Sequence, residues 1–242
     1  MKKNLAFLTL ILFYSFANGQ NIDSNSLPDP SVNTVFYRDT LKSFLIKKDQ
    51  PYLFNSEMNY RDKSLGNKII RASLYSITYN TIILSGLVFA PESFSKWENK
   101  EEKFKFSSIM NQYKQAFTTP PVVDHDLWMT NYIGHPYQGG FYYNTIRCQG
   151  ATVLQSSLFS LGRSLLWEYG WEASVEQPSV QDLIVTPIGG ILLGEASHLA
   201  TIEMSKNGFR WYEIVATCIL NPSYVVNNKF KFNTKRNNLE AF

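Results

Sequence analysis

Long apolar segments, each ended by proline or glycine, make up most of residues 65–220 and limit what this chain can fold into. The first covers residues 65–90, is apolar nearly all round, and stops at Pro91. A segment of this length exceeds a typical strand of about 5–6 residues and is typical of a helix within a bundle or against lipid. Because the segment contains many β-branched residues, a pair of strands remains the lesser alternative.

Five more helices are expected downstream, with ends set by the same helix-breaking residues. The predicted ranges are 104–117, 136–148, 153–177, 179–205 and 209–220. Pro187 lies inside the fifth and is expected to kink it. The sequence therefore predicts an all-α fold, a bundle of about six helices that includes helices kinked by proline and glycine.

The first nineteen residues have the three parts of a secretory signal peptide. Two lysines precede an apolar run over residues 5–16, and Ala17-Asn18-Gly19 supplies the small-x-small cleavage pattern. The apolar run is too short to cross a bilayer comfortably. We therefore expect an exported protein with a signal peptide over 1–19, an irregular arm over 20–63, a helical domain over 64–222 and a polar tail over 223–242.

The composition of the chain indicates which classes of binding partner to expect. Aromatic residues make up 15% of the chain and charged residues 18%, below the roughly 25% of ordinary soluble domains. This balance favours contact with a membrane, although a large dry core would have a similar composition. The net charge is +3, and the basic residues form no stripe along a predicted helix, so nucleic acid is not expected as a partner.

The chain has two cysteines, Cys148 and Cys218. They could form a disulfide or remain two buried thiols, and neither has the spacing of a metal or redox site.

Three glutamates in the fourth predicted helix form the most informative pattern. Glu168, Glu172 and Glu176 are four residues apart, so a helix would align them in a nearly straight row. Like charges at this spacing repel one another. The row is therefore either a solvated face or a functional carboxylate site, which could supply an acid and a base or bind a divalent cation.

The third predicted helix adds a histidine and an arginine. His135 immediately precedes Pro136, a favoured first residue of a helix, so it is placed at the helix start. Histidine transfers protons readily near neutral pH, although one at a helix start can be purely structural. Arg147 is an obvious cation for the glutamate row, and Tyr143 lies one turn before it.

The fifth predicted helix begins with a cap and continues with small residues. Ser179 and Asp182 match a capping box with aspartate in place of glutamate, which is a structural alternative to a catalytic role. Gly190 and Gly194 form a G-x-x-x-G face suited to close helix packing. Glu195 would lie about 140° around a straight helix from Asp182, so both could line one cavity only if the helix is rotated at its kink.

Common catalytic signatures are absent from the sequence. We find no H-E-x-x-H, no G-x-S-x-G and no P-loop, which argues against standard hydrolases and nucleotide enzymes.

Residues 105–220 contain a series of matches to a known family. The matching residues are Asn131 to Pro136, Gly140 to Asn144, Arg147, Gly150, Trp167 to Tyr169, Glu172, Glu176 to Ser179, Asp182 and Leu183, Thr186 and Pro187, Gly190, Gly194 and Glu195. In these positions the chain resembles a family of exported bacterial proteins described as domain of unknown function 3943. The resemblance implies a cell-envelope protein, in the periplasm or outer membrane of a Gram-negative bacterium, and implies no particular reaction.

A weaker similarity reaches the VanZ-like family of membrane helical proteins. It covers about thirty residues and rests on the order of Glu172 or Glu176, Gln177, Asp182, Gly190 and Gly194.

These observations lead to one functional hypothesis and two rivals. We expect a membrane-associated helical domain that acts on a lipid or cell-wall precursor by acid–base chemistry, with metal dependence left open. One polar centre would combine His135, Arg147, Glu168, Glu172, Asp182 and Glu195. Its catalytic residues would be His135, Glu168, Glu172 and Asp182, and its binding residues Asn131, Tyr143, Asn144, Arg147, Glu176 and Glu195. In this scheme Glu168 or Glu172 is the base, His135 the acid, and Arg147 holds an anion. The rivals are a structural protein or protein-binding partner, whose charges form a buried ion network, and a lipid carrier.

Overall fold

The computed structural model describes residues 64–97 and 99–234. The predicted signal peptide over 1–19, the predicted arm over 20–63 and the last eight residues of the predicted tail lie outside the described residues.

The described residues form nine α-helices and no β-strand, which confirms the all-α prediction. The helices are α1 (Leu65–Phe89), α2 (Glu92–Ser95), α3 (Lys100–Lys103), α4 (Phe106–Thr118), α5 (His135–Arg147), α6 (Val153–Leu166), α7 (Val180–Ser205), α8 (Trp211–Leu220) and α9 (Pro222–Asn227). The ends of the long helices lie within a few residues of their predicted positions because proline, glycine and capping side chains act locally.

The fourth predicted helix is not continuous. It consists of α6, a π-helical turn over Trp167–Trp171 and a 3₁₀ turn over Glu172–Ser174. A second π-helical turn, Thr130–Gly134, leads into α5. Each wide or tight turn rotates the side chains that follow it, so the glutamates do not form the straight row predicted for an ideal helix.

Helices α5 and α7 form the centre of the domain, and their backbones come into close contact at glycine residues. A Cβ atom added at Gly139 would lie 2.0 Å from the carbonyl oxygen of Thr186, and one added at Gly190 would lie 2.5 Å from the Cα of Gly139. At Gly194 it would lie 2.7 Å from the ring of Tyr143. The predicted small-residue packing face is therefore confirmed.

The helical domain continues past its predicted end. Pro222 begins α9 rather than a frayed tail, since proline is well suited to a first helical position. The Ser223 hydroxyl donates to the Phe141 carbonyl oxygen at 2.8 Å, and the Asn227 amide donates to the Thr145 carbonyl oxygen at 3.1 Å. These bonds fix α9 against α5, and the prediction of a polar tail from residue 223 missed them.

The start of α6 offers a test of local helix stabilisation. The Gln155 backbone N–H donates to the Thr152 hydroxyl at 3.2 Å, and the Thr152 backbone N–H donates to the Gln155 side chain at 3.0 Å. Thr152→Ala removes one half of this capping box and is expected to lower the free energy of unfolding by about 1 kcal/mol in urea denaturation. Ser157→Ala, one turn further along α6, should cost less, because its hydroxyl bonds within the helix to the Val153 carbonyl oxygen. Equal losses in the two variants would contradict the role of the cap.

Candidate functional site

A histidine and two carboxylates meet in the interior between α5, α7 and the first π-helical residues after α6. One ligand-type atom from each of His135, Glu168 and Asp182 lies within 4.8 Å of the other two. The three residues are 4%, 1% and 3% exposed, respectively. His135 Nε2 lies 3.6 Å from Asp182 Oδ2, which is too long for a good hydrogen bond. We call these three residues the polar centre.

The chain around Pro178 brings Asp124 beside the polar centre. The Val122 backbone N–H donates to the Pro178 carbonyl oxygen at 3.0 Å, and the Val180 N–H donates back to the Val122 carbonyl oxygen at 2.8 Å. This short bridge joins the segment after α4 to the start of α7. Asp124 therefore lies next to the capping residue Ser179, although the two are far apart in sequence.

Ser179 links the carboxylates to one another. Its backbone N–H donates to Glu168 Oε2 at 3.0 Å, and its hydroxyl donates to Asp124 Oδ2. The same hydroxyl oxygen accepts from the Asp182 backbone N–H at 3.2 Å, as the predicted helix cap requires. Asn131 donates to Asp124 Oδ1 at 2.6 Å. Ser179 thus positions Glu168, Asp124 and the first turn of α7 together.

Several buried polar atoms around the centre have no hydrogen-bond partner among the described residues. They are Asn131 Oδ1, His135 Nδ1, Glu168 Oε1, Asp182 Oδ1 and Thr186 Oγ1. Buried polar groups are paired in about 90% or more of cases, and leaving one unpaired costs about 1–3 kcal/mol. Unpaired atoms also occur elsewhere in the described residues, but here three of them belong to side chains whose ligand-type atoms lie within 4.8 Å of one another.

Burial shifts the pKa values of Glu168 and His135 in opposite directions. Loss of solvent, with the charges of Asp182 and Asp124 nearby, raises the pKa of Glu168 to about 8. Loss of solvent lowers the pKa of His135 to about 4, although the charge of Asp124 opposes this shift. Near pH 7 the histidine is therefore neutral and Glu168 is mostly protonated. Divergent pKa values of this kind are typical of acid–base pairs in active sites.

Asp124 is the ionised member of the group. Although burial raises its pKa, hydrogen bonds from Ser179 and Asn131 outweigh that effect and lower the pKa overall. A carboxylate that accepts several hydrogen bonds keeps its negative charge. One formal negative charge thus lies beside the polar centre at neutral pH.

A surface cleft of about 370 Å³ has Asp124 among its lining residues. Its other charged lining residues are Lys96, Lys103, Asp126 and Glu176. The volume falls within the usual range of about 300–1,000 Å³ for small-molecule sites. Asp124 belongs both to the cleft wall and to the hydrogen-bond network of Ser179, whereas His135, Glu168 and Asp182 do not line the cleft.

Two predicted glutamates take different positions. Glu172 is buried, and loss of solvent together with the charge of Glu168 raises its pKa. Glu176 accepts a hydrogen bond from the Trp97 indole at 2.7 Å and lines the cleft. The interpretation of the glutamate row as a solvated face is therefore wrong for Glu168 and Glu172.

Arg147 and Glu195 form a separate cluster towards the other end of α7. Arg147 Nε and Nη2 donate to the two oxygens of Glu195 at 2.8 and 3.0 Å, and the Tyr143 hydroxyl donates to Glu195 at 2.6 Å. Asp182 and Glu195 are about 20 Å apart along the helix, given 1.5 Å per residue. The prediction that all these residues share one polar centre is wrong, because Pro187 does not bring the two halves of α7 to one cavity. Arg147 is the cation for Glu195 and not for the glutamate row.

Asn144 belongs to the same helix contact as this second cluster. Its amide donates to the Gly194 carbonyl oxygen at 3.0 Å and to the Ser197 hydroxyl at 2.9 Å. It therefore holds α5 against α7.

The two cysteines do not pair. Cys148 is buried and Cys218 is exposed, and both are free thiols. The disulfide alternative is wrong, and of the two predicted buried thiols one is found.

The sequence reasoning placed a site between Asp124 and Glu203 but gave Asp124 no role, and it did not identify Lys96, Lys103 or Asp126. Asp124 and Asp126 stand in an irregular segment after Pro120-Pro121, where no helical spacing relates them to the other carboxylates. Their closeness to Ser179 depends on the bridge between Val122 and the chain around Pro178. The presence of two aspartates just before the residues around His135 was the one available signal.

The comparisons with known proteins find one family. Nothing matches the chain among curated proteins or among solved structures. The similarity to the VanZ-like family rests on the order of residues in the sequence alone. Residues 120–223 match the model of a family described as a domain of unknown function, DUF3943, and this range includes the polar centre and the Arg147–Glu195 cluster. This part of the chain therefore matches the family that the sequence was predicted to resemble.

Proposed function

We propose that this protein is a membrane-associated enzyme of the bacterial cell envelope that acts on a lipid or cell-wall precursor by acid–base chemistry at the polar centre. The observation that carries the proposal is the buried group of His135, Glu168 and Asp182, whose polar atoms are left unpaired beside a cleft. A network that served only to hold helices together would be expected to pair its charges, as the Arg147–Glu195 cluster does.

The pKa shifts favour particular roles in proton transfer. His135 is neutral near pH 7 and is suited to accept a proton, whereas Glu168 retains a proton that it can donate. This reverses the roles expected from the sequence, where His135 was the acid. Asp124 stays ionised and, through Ser179, helps to fix the position of Glu168. Arg147 is committed to Glu195, so Lys96 and Lys103 at the cleft are better placed to hold an anionic group of a substrate.

Exposed apolar faces support the proposed contact with lipid. Helices α1 and α7 are long and apolar enough to cross a membrane, yet only 17% and 33% of their most apolar stretches is buried. Core helices of soluble proteins pass the same length test but are mostly buried. Large exposed side chains include Ile70, Leu74 and Ile82 on α1, Ile188 and Leu192 on α7, and Trp211 and Ile219 on α8. Extended exposed apolar surface of this kind is typical of a membrane or protein contact.

The predicted signal peptide supplies the route to the envelope. An exported protein with apolar faces and a cleft lined by lysines is suited to amphipathic molecules with an anionic head, a description that fits phosphate-bearing lipids and cell-wall precursors.

Incubation of the purified protein with lipid and cell-wall precursor extracts, followed by mass spectrometry, tests the proposal. We expect wild type to change the mass of at least one component and Glu168→Gln to leave it unchanged, because glutamine cannot exchange the proton. Glu203→Gln is the matched control, since Glu203 is an exposed carboxylate on α7 that pairs with Lys206, and this variant should act like wild type. Equal products from wild type and Glu168→Gln, or no product from wild type, would contradict the proposal.

A further inference from the structure

We propose that His135, Glu168 and Asp182 bind one divalent transition-metal ion, and that Zn²⁺ is the ion that the site fits best. Imidazole nitrogen and carboxylate oxygen are both common ligands of zinc, and catalytic zinc sites usually have three protein ligands and one open position.

The spacing of the three side chains suits such an ion. With bonds of about 2.0–2.2 Å, ligand atoms around a tetrahedral Zn²⁺ are about 3.4 Å apart. The separation between His135 Nε2 and one oxygen of Asp182, Oδ2, is 3.6 Å. One ligand-type atom from each of the three side chains lies within 4.8 Å of the other two, so changes of about 1.4 Å or less in these separations would give tetrahedral spacing.

The unpaired atoms are an independent observation in favour of a ligand. Glu168 Oε1 and Asp182 Oδ1 have no hydrogen-bond partner among the described residues, although both residues are at least 97% buried. No lysine or arginine of the described part of the chain forms an ion pair with either carboxylate. A buried carboxyl group without a cationic partner keeps its proton unless a metal ion binds it. A divalent cation would satisfy both oxygens at once.

Ser179 makes hydrogen bonds that orient two of the three proposed ligands. The Ser179 backbone N–H holds Glu168 Oε2 at 3.0 Å and leaves Oε1 without a partner. Residues 180–182 begin α7, whose first turn is capped by the Ser179 hydroxyl, so the position of Asp182 is fixed by the helix. Hydrogen bonds that orient metal ligands in this way are general features of metal sites.

The ligand chemistry selects among metals. One imidazole with two carboxylates is a mixed nitrogen and oxygen set, which suits zinc better than the all-oxygen sets preferred by magnesium and calcium. Affinity for such sites also rises from Mn²⁺ to Zn²⁺. We therefore expect Zn²⁺ to bind more tightly than Mn²⁺, and Mn²⁺ more tightly than Mg²⁺.

This inference shares its three residues with the proposed function but does not depend on any reaction. A divalent ion bound by His135 and Glu168 would displace the Glu168 proton and occupy the His135 nitrogen. In the metal-bound form, Lewis-acid polarisation of a carbonyl or phosphoryl oxygen would therefore replace proton transfer by these two residues. If the protein binds zinc but forms no product, the metal site is supported and the proposed function is refuted. If the protein forms product but binds no metal, the proposed function is supported and the metal site is refuted.

Metal binding can be measured directly on the full-length protein. After treatment with a chelator and its removal, the protein is titrated with Zn²⁺ by calorimetry and its metal content is determined by mass spectrometry. We expect one Zn²⁺ per chain. Glu168→Gln and Asp182→Asn should each weaken binding more than about 100-fold, beyond the 10–100-fold typical of changes in residues that only support ligands. Glu203→Gln is expected to bind like wild type.

A measurement on wild type alone guards against misfolded variants. X-ray absorption at the zinc edge should show one imidazole nitrogen together with oxygen ligands at about 2.0–2.1 Å. Failure of wild type to take up Zn²⁺, unchanged binding in both carboxylate variants, or sulfur in the zinc shell would overturn the inference.

Discussion

Gly190→Ala is expected to lower the free energy of unfolding by about 3 kcal/mol or more, at or above the upper end of the usual cost of overpacking. The added Cβ would lie 2.4 Å from the carbonyl carbon of Gly139 and 2.5 Å from its Cα. Both atoms belong to the backbone of α5, so no side chain can rotate to make room. The helices would have to separate along the contact that forms the centre of the domain. Urea denaturation of the full-length protein, followed by circular dichroism, measures the loss.

Gly86→Ala is the matched control. Gly86 lies inside α1, and nothing would come within 4 Å of an added Cβ there. Since alanine favours the helical conformation more than glycine, this variant should gain about 0.5–1 kcal/mol. A loss within about 1 kcal/mol for Gly190→Ala, or an equal loss for Gly86→Ala, would show that the glycine contact does not control the packing of α5 on α7.

Arg147→Ala is expected to cost about 3 kcal/mol or more, because it leaves a partly buried carboxylate without its cation. The guanidinium makes two bonds to Glu195 and a third to the Ala151 carbonyl oxygen at 3.0 Å. The Arg147 side chain is 4% exposed and that of Glu195 is 24% exposed, so solvent can replace the lost cation only in part. The free energy of unfolding in urea at neutral pH is the quantity to measure.

Two further variants separate the charge from the packing. Arg147→Leu combined with Glu195→Leu should recover much of the stability, since replacing a buried pair by apolar residues is often neutral or better. Lys206→Ala breaks the exposed pair with Glu203 and should change stability by less than about 1 kcal/mol. If Arg147→Ala were as mild as Lys206→Ala, the Arg147–Glu195 cluster would not be structural.

Local features of the sequence predicted most of the fold. The ends of α1, α4, α5 and α7 follow proline, glycine and capping residues, whose effects depend on near neighbours in the chain. The two π-helical turns could not be predicted this way. A widened turn is stabilised by what its side chains contact in the folded protein, and Glu168 contacts Ser179, eleven residues later.

The site was predicted only in part for the same reason. His135, Glu168 and Asp182 were recognised by residue type, and the structure brings their side chains together. Arg147 was also chosen by residue type, as a cation for the glutamates, but it lies where α5 meets α7 and pairs with Glu195. Asp124 lies on no helix, and its position depends on the bridge between Val122 and the chain around Pro178, which leaves no mark in helical spacing.

The free energy of unfolding of Glu168→Gln, measured beside wild type at pH 7.5, tests most directly whether the polar centre is a functional site. Glutamine can still accept from the Ser179 N–H, and it removes the unfavourable ionisation of a carboxyl group whose pKa is about 8. We therefore expect the variant to be as stable as wild type or more stable, as is usual where a buried charge is kept for function. A loss of about 3–5 kcal/mol, the cost of breaking a buried charge network, would mean that Glu168 is part of the architecture instead.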